Sequence, residues 1–228
     1  MKRLALPLLF LAAALPAFGW TRAADHRIAQ KAAELGPPDL RMVIERYNDA
    51  YLRGVDLAQA DEGSEMHRAK LRARIEAEVR GIAQLIRTNK PMLQAVEHLG
   101  ILAHLVADAN NPFNQGELDA EKRADFAAFF ERRLARFPLV FYGIDQRFAL
   151  SPYLDHTFAR TAKFVPLMEE EYTRGSAATF DDRSTAFGVA SVCYSRAITD
   201  IANLQYIIWK EAGGNVRRMP QHVVLNGN

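Results

Sequence analysis

Residues 100–114 read GILAHLVADANNPFN. This stretch is the C-terminal half of a helix that restarts the chain after Thr88-Asn89-Lys90, with Pro91 tolerated in its first turn. Asn110-Asn111-Pro112 stops it. His104 and Asp108 stand four residues apart on it. Four residues advance about 400°, so the imidazole and the carboxylate lie about 40° apart on one face.

Outward from this helix the same period persists over most of the chain. Asp25 to Leu35 is a short amphipathic segment stopped by Gly36-Pro37-Pro38. Asp39 is placed to cap a second helix, with Leu40, Val43, Ile44, Tyr47 and Tyr51 on one face and Gly54 as its stop. Residues 55–63 read as polar loop. Ser64 caps a third helix carrying Leu71, Ile75, Val79, Ile82 and Ile86. A fifth helix covers residues 119–136, and residues 137–151 read as a packed loop with Pro138 and Gly143 among aromatics. Residues 152–174 are helical with an interruption near Pro166. Asp181 or Asp182 then caps a long helix with Phe187, Ala190, Tyr194, Ala197, Ile201, Leu204 and Ile208 on its stripe, ending at Gly213-Gly214. No alternating run demands a strand. The expectation is an all-α fold, one domain over residues 20–214, followed by a loose polar tail over 215–228.

The composition fits that reading. At 49% hydrophobic the 228-residue chain can bury a core and is not disordered. A single cysteine, Cys193, excludes an intrachain disulfide, a zinc ribbon and an iron–sulfur cluster, and reads as a buried core residue. Residues 1–19, MKRLALPLLFLAAALPAFG, carry Lys2 and Arg3 ahead of an apolar run from Leu4 to Leu15. That run is shorter than the about 20 residues a spanning helix needs. Ala17-Phe18-Gly19 supplies a small-x-small cleavage pattern, so the segment reads as a secretory signal and the protein as periplasmic or secreted. Cleavage after Gly19 makes Trp20 the N-terminus and removes two of the 29 basic residues, which leaves them balanced against 27 acidic ones. A neutral protein is not expected to bind nucleic acid strongly.

Six histidines are available: His26, His67, His98, His104, His156 and His222. His104 and Asp108 are the sharpest pair, because a metal ion needs a convergent nitrogen and carboxylate. Glu97 falls on the same stripe as an outer partner, while His98 lies about 120° away from His104. The plainer alternative is a helix end at which Asp108 meets a histidine or caps the next turn. The phenylalanines and tyrosine at 129, 130, 137, 141 and 142 read as core. No Gly-x-Ser-x-Gly, phosphate-cradling glycine loop or His-Glu-x-x-His occurs.

GILAHLVADANNPFN resembles the core motif of the zinc-dependent phospholipase C family, to which single-strand-specific zinc nucleases are related. The likeness extends upstream through NKPMLQAVEHLG, and AITDIANLQYIIWKEAGG is similar to the family's closing helix. Members begin with Trp after signal removal and place a His in the first helix, as in WTRAADHRIAQKAAELGPP here. The resemblance implies an all-α fold around a zinc cluster. It implies one zinc on the Trp20 amine and carbonyl, His26 and a bridging Asp108. It implies a second on an Asp, His67, His104 and the same Asp108. Asp61 is the preferred loop aspartate, with Asp56 the alternative. His104 and Asp108 would carry the catalytic chemistry.

The third zinc site departs from the family. The family turn ends in His where this chain has Asn114, and Asp125 and Glu131 are the carboxylates available in ADFAAFFERR. An Asn, an Asp and a Glu make a poorer zinc site than two imidazoles. Two zinc ions are therefore expected, with the third absent, weak or replaced by a harder cation. The implied activity is hydrolysis of a phospholipid or other phosphodiester, with transient contact at a membrane surface and no stable protein partner. A related zinc nuclease and a helical metal-binding protein without turnover stand as alternatives.

Overall fold

The computed structural model describes residues 19–60, 68–114, 120–146, 148–217 and 223–225. The fold is all-α. Its helices are α1 (Arg22–Leu35), α2 (Pro38–Arg46), α3 (Asn48–Ala60), α4 (Arg68–Arg87), α5 (Met92–Ala109), α6 (Ala120–Arg133), α7 (Leu150–Ala162), α8 (Val165–Arg174) and α9 (Thr185–Glu211). Among the described residues no helix is long and apolar enough to cross a membrane. The signal-like segment before Gly19 lies outside them.

α5 and α9 form the centre. α5 is packed by α3 and α4 and lies against α9, while α1 covers another side of α9. From Ile198 to Trp209 α9 is buried on every face. A helix buried all round has to satisfy its polar side chains internally. Ser195, Thr199 and Asn203 do so by holding the segment that follows α6. Ser195 Oγ accepts from Val140 N, Thr199 Oγ1 from Tyr142 N, and Asn203 Oδ1 from Asp145 N.

Gly54 does not end a helix. The sequence reading closed the second helix there, yet α2 stops at Arg46, and α3 starts at Asn48 and runs through Gly54 to Ala60. The reason is a backbone-to-backbone crossing of α3 and α5. A β-carbon on Gly54 would land on the Glu97 carbonyl, and one on Gly100 would land on the Tyr51 carbonyl. Two glycines facing each other let the helices touch without intervening side chains.

Two short strands correct the expectation of none. β1 (Leu139–Phe141) lies in the expected loop, and β2 (Val223–Leu225) lies in the expected loose tail. They pair antiparallel, with Val140 opposite Val224. The long helix is capped by Ser184, not by Asp181 or Asp182. Ser184 Oγ accepts from Phe187 N at 3.2 Å, while Asp181 Oδ1 accepts from Arg183 N one turn earlier. The interruption between α7 and α8 falls at Lys163-Phe164, because Pro166 is best placed in the first turn of a new helix. Phe129, Phe130, Phe137 and Phe141 are core, as expected.

Candidate functional site

The site is built where the start of α1 meets the C-terminal half of α5. Thr21 caps α1, its hydroxyl accepting from Ala24 N at 3.3 Å. The buried stripe of α1 then runs Asp25, Ile28, Ala29, Ala32, with Asp25 the charged member. Trp20, just ahead of the cap, is buried under α6. Its ring centroid lies 4.3 Å from that of Phe130. Its indole Nε1 donates to the Ala107 carbonyl at 3.0 Å, which ties the first described residues to the turn that carries Asp108.

His104 stands between two carboxylates. Its Nδ1 lies 3.0 Å from Asp25 Oδ2 and its Nε2 lies 3.7 Å from Asp108 Oδ2. All three residues are about 1% exposed. A carboxylate only accepts, so the Asp25 contact puts a proton on Nδ1 and turns Nε2 toward Asp108. Gln59 of α3 completes this side. Its Nε2 donates both to Asp25 Oδ2 and to the Trp20 carbonyl, each at 3.1 Å.

The turn after α5 closes round Gly19. The Asn111 amide donates to the Gly19 carbonyl, and Asn114 Nδ2 lies 3.5 Å from the Asp108 carbonyl. A β-carbon on residue 19 would stand 2.6 Å from Asn114 Nδ2, 2.9 Å from Asp108 Oδ1 and 3.1 Å from Asn111 Nδ2. Gly19 therefore occupies the space beside Asp108 that a larger residue could not share.

His104 and Asp108 thus face one another with the Trp20 indole bonded to the neighbouring Ala107, whereas His26 turns away from them. It lies about 100° round α1 from Asp25. Its Nε2 is 2.7 Å from Asp56 Oδ1 on α3. Arg22 holds the same carboxylate with two bonds of 2.7 and 2.6 Å, and together these partners keep the Asp56 carboxyl below its usual range. Asp56, on α3 and not in a loop, is thereby paired with Arg22 and His26. Asp61 and His67 lie outside the described residues. His26→Ala should leave the metal content of the protein unchanged, measured as moles of zinc per mole of chain; a drop of one ion would place His26 in the centre after all.

The expected third-site residues do not converge. Asp125 Oδ2 accepts from Ala177 N at 2.7 Å, and Glu131, six residues on, is exposed on a different face of α6. Glu97 is not an outer partner of His104, because it pairs with Arg53 of α3 at 2.5 Å. His98 pairs with Glu78 at 2.8 Å, and that hydrogen bond raises its pKa.

Among the described residues no group of three His, Cys, Asp or Glu side chains could hold a metal ion. The geometry gives the reason. Nδ1 of His104 is engaged by Asp25, and its Nε2 faces Asp108. Their 3.7 Å separation is near the about 3.4 Å expected of two donors on one tetrahedral zinc, so this half of a site fits an ion. Asp25 takes the place of the carboxylate that commonly orients a metal-bound histidine from behind. The sequence analysis missed Asp25 and Gln59. Asp25 was legible as the acidic member of an otherwise apolar helical stripe. Gln59 carried no signal, because residues 55–63 read as loop.

The backbone is similar to that of Clostridium perfringens alpha-toxin from avian strain SWCP. The TM-score is 0.58 at 11% identity, over 87% of this chain and 66% of that one. At that identity the likeness is one of fold. This chain spans just under two thirds of the toxin's length. No protein-family model and no curated protein matches the chain.

Proposed function

We propose that this protein is an exported zinc-dependent phosphodiester hydrolase of the phospholipase C kind, acting on a phospholipid or a related phosphodiester. The observation that carries the reading is the buried facing pair of His104 Nε2 and Asp108, with the Trp20 indole bonded one residue before Asp108. The surrounding backbone is similar to that of alpha-toxin, which supports the phospholipase C resemblance of the sequence. The centre would be held by His104 Nε2 and Asp108, with Trp20, Asp61 and His67 supplying the remaining donors.

A zinc ion held there would supply a water that ionises near neutral pH. The protein's own part is to fix the donors. Asp25 holds the proton on His104 Nδ1, Gln59 holds Asp25, and the indole of Trp20 locks the start of the chain to the Asp108 turn. Cleavage after Gly19 would remove the residue that touches Asp108, Asn111 and Asn114, and would free the Trp20 amine in its place. The mature protein would act in the periplasm or the medium.

The test is hydrolysis of a chromogenic phosphodiester, a phosphocholine lipid and single-stranded DNA, each with and without chelator. Chelator-sensitive turnover of the first two is expected. No turnover by zinc-loaded protein would overturn the reading in favour of a scaffold without catalysis. One specific feature favours that second reading: the Trp20 carbonyl, which the resemblance makes a zinc donor, already accepts from the Gln59 amide. Processing gives an independent check. One extra residue ahead of Trp20 should lower the zinc content by one ion, read by elemental analysis; equal content in both forms contradicts a role for the amine.

A further inference from the structure

A cavity of about 450 Å³ lies between α7, α9 and the segment after β1. Its α7 wall carries Tyr153, His156 and Arg160, which share one helical face, and its α9 wall carries Arg196 and Asp200. The roof, which includes Tyr142 and Asp145, is pinned to α9 through Thr199 and Asn203, so the cavity is built into the fold.

The charges in its walls are unevenly satisfied. Asp200 is saturated: Arg160 lies 2.7 Å from Oδ2, Asn110 and Thr157 bond the same oxygen, and the Tyr153 hydroxyl donates to Oδ1. Arg160 is thereby neutralised. Arg196 has no carboxylate partner within 4 Å among the described residues. Its guanidinium carbon instead lies 3.4 Å from the centre of the Tyr142 ring, and its Nε is buried without an acceptor. A stacked arginine is held in place by the ring while its outer N–H groups stay available in a planar fork that suits an oxyanion.

We propose that this cavity is a binding site for a small oxyanion, a phosphate or phosphomonoester, held by Arg196 and His156. The tyrosine rings form its organic wall. The cavity's volume of about 450 Å³ limits the site to small anions. None of the residues lining the cavity belongs to the His104 cluster, so the proposal does not rest on what that cluster does.

Inorganic phosphate is the probe, titrated calorimetrically into chelator-treated protein so that a metal centre cannot contribute. Saturable binding is expected. Arg196→Gln should weaken it at least tenfold and His156→Gln severalfold. Arg196→Lys, which keeps the charge but loses the fork, should bind with intermediate strength and serves where the glutamine variant does not fold. Acetate in a parallel titration separates a phosphate site from a general anion site, and equal affinity for acetate overturns the assignment. So does the absence of saturation, or phosphate affinity in a folded Arg196 variant equal to that of the parent.

Discussion

Gly100→Ala should destabilise the protein by about 3 kcal/mol or more, because the new methyl group meets backbone and not a side chain that can turn aside. The β-carbon falls on the Tyr51 carbonyl, 2.9 Å from its carbon, at the crossing where Gly54 of α3 faces Gly100 of α5. Relief requires the two helices to separate along their length. That separation would loosen the seat of Tyr51, whose hydroxyl donates to the Ala29 carbonyl and accepts from Gln205. In a chain of this size the melting temperature should fall by about 6–12 °C. Gly81→Ala is the matched control. Gly81 is exposed in α4 with nothing within 4 Å of its β-carbon position, so alanine should stabilise by about 0.5–1 kcal/mol through helix propensity alone. Thermal unfolding of the two variants side by side decides the matter. Equal melting temperatures would mean that the glycine crossing is not a tight one.

His104→Ala should abolish zinc retention and phosphodiester turnover together, and should also destabilise the fold. Removing the imidazole leaves the buried Asp25 and Asp108 carboxylates without the group that separates and bonds them, a loss on the order of 3–5 kcal/mol. Asp25→Asn provides the graded version, a smaller perturbation with His104 and Asp108 both still present. The amide no longer fixes the proton on Nδ1, so metal affinity should fall about 10–100-fold, the range seen when the group behind a metal-bound histidine is changed. Zinc competition with a chromogenic chelator reads this without reference to activity. Unchanged affinity in Asp25→Asn would show that Asp25 does not orient His104 toward an ion.

Much of the architecture could be read from spacing alone. α5 and α9 are long, their apolar residues recur at three and four, and their ends carry Pro, Asn or Gly. The pairing of His104 with Asp108 needed only the helical period, since both lie on one element. Everything that crosses between elements was harder to see. His26 and Asp25 are neighbours in sequence, and a rotation of 100° about α1 decides which faces His104. The choice is made by the apolar stripe of Ile28, Ala29 and Ala32, which buries Asp25 and leaves His26 to Asp56.

The sequence by itself determined an all-α protein and the helix that carries its most suggestive pair, because helical period and end signals are local properties of the chain. Tertiary structure alone decided that Gly54 is a contact and not a stop, that part of the tail becomes a strand on Leu139–Phe141, and that Asp25 holds His104 while Gln59 ties Asp25 to Trp20. These depend on which backbone approaches which and on what each buried polar group finds as a partner. Neither is encoded in any one segment.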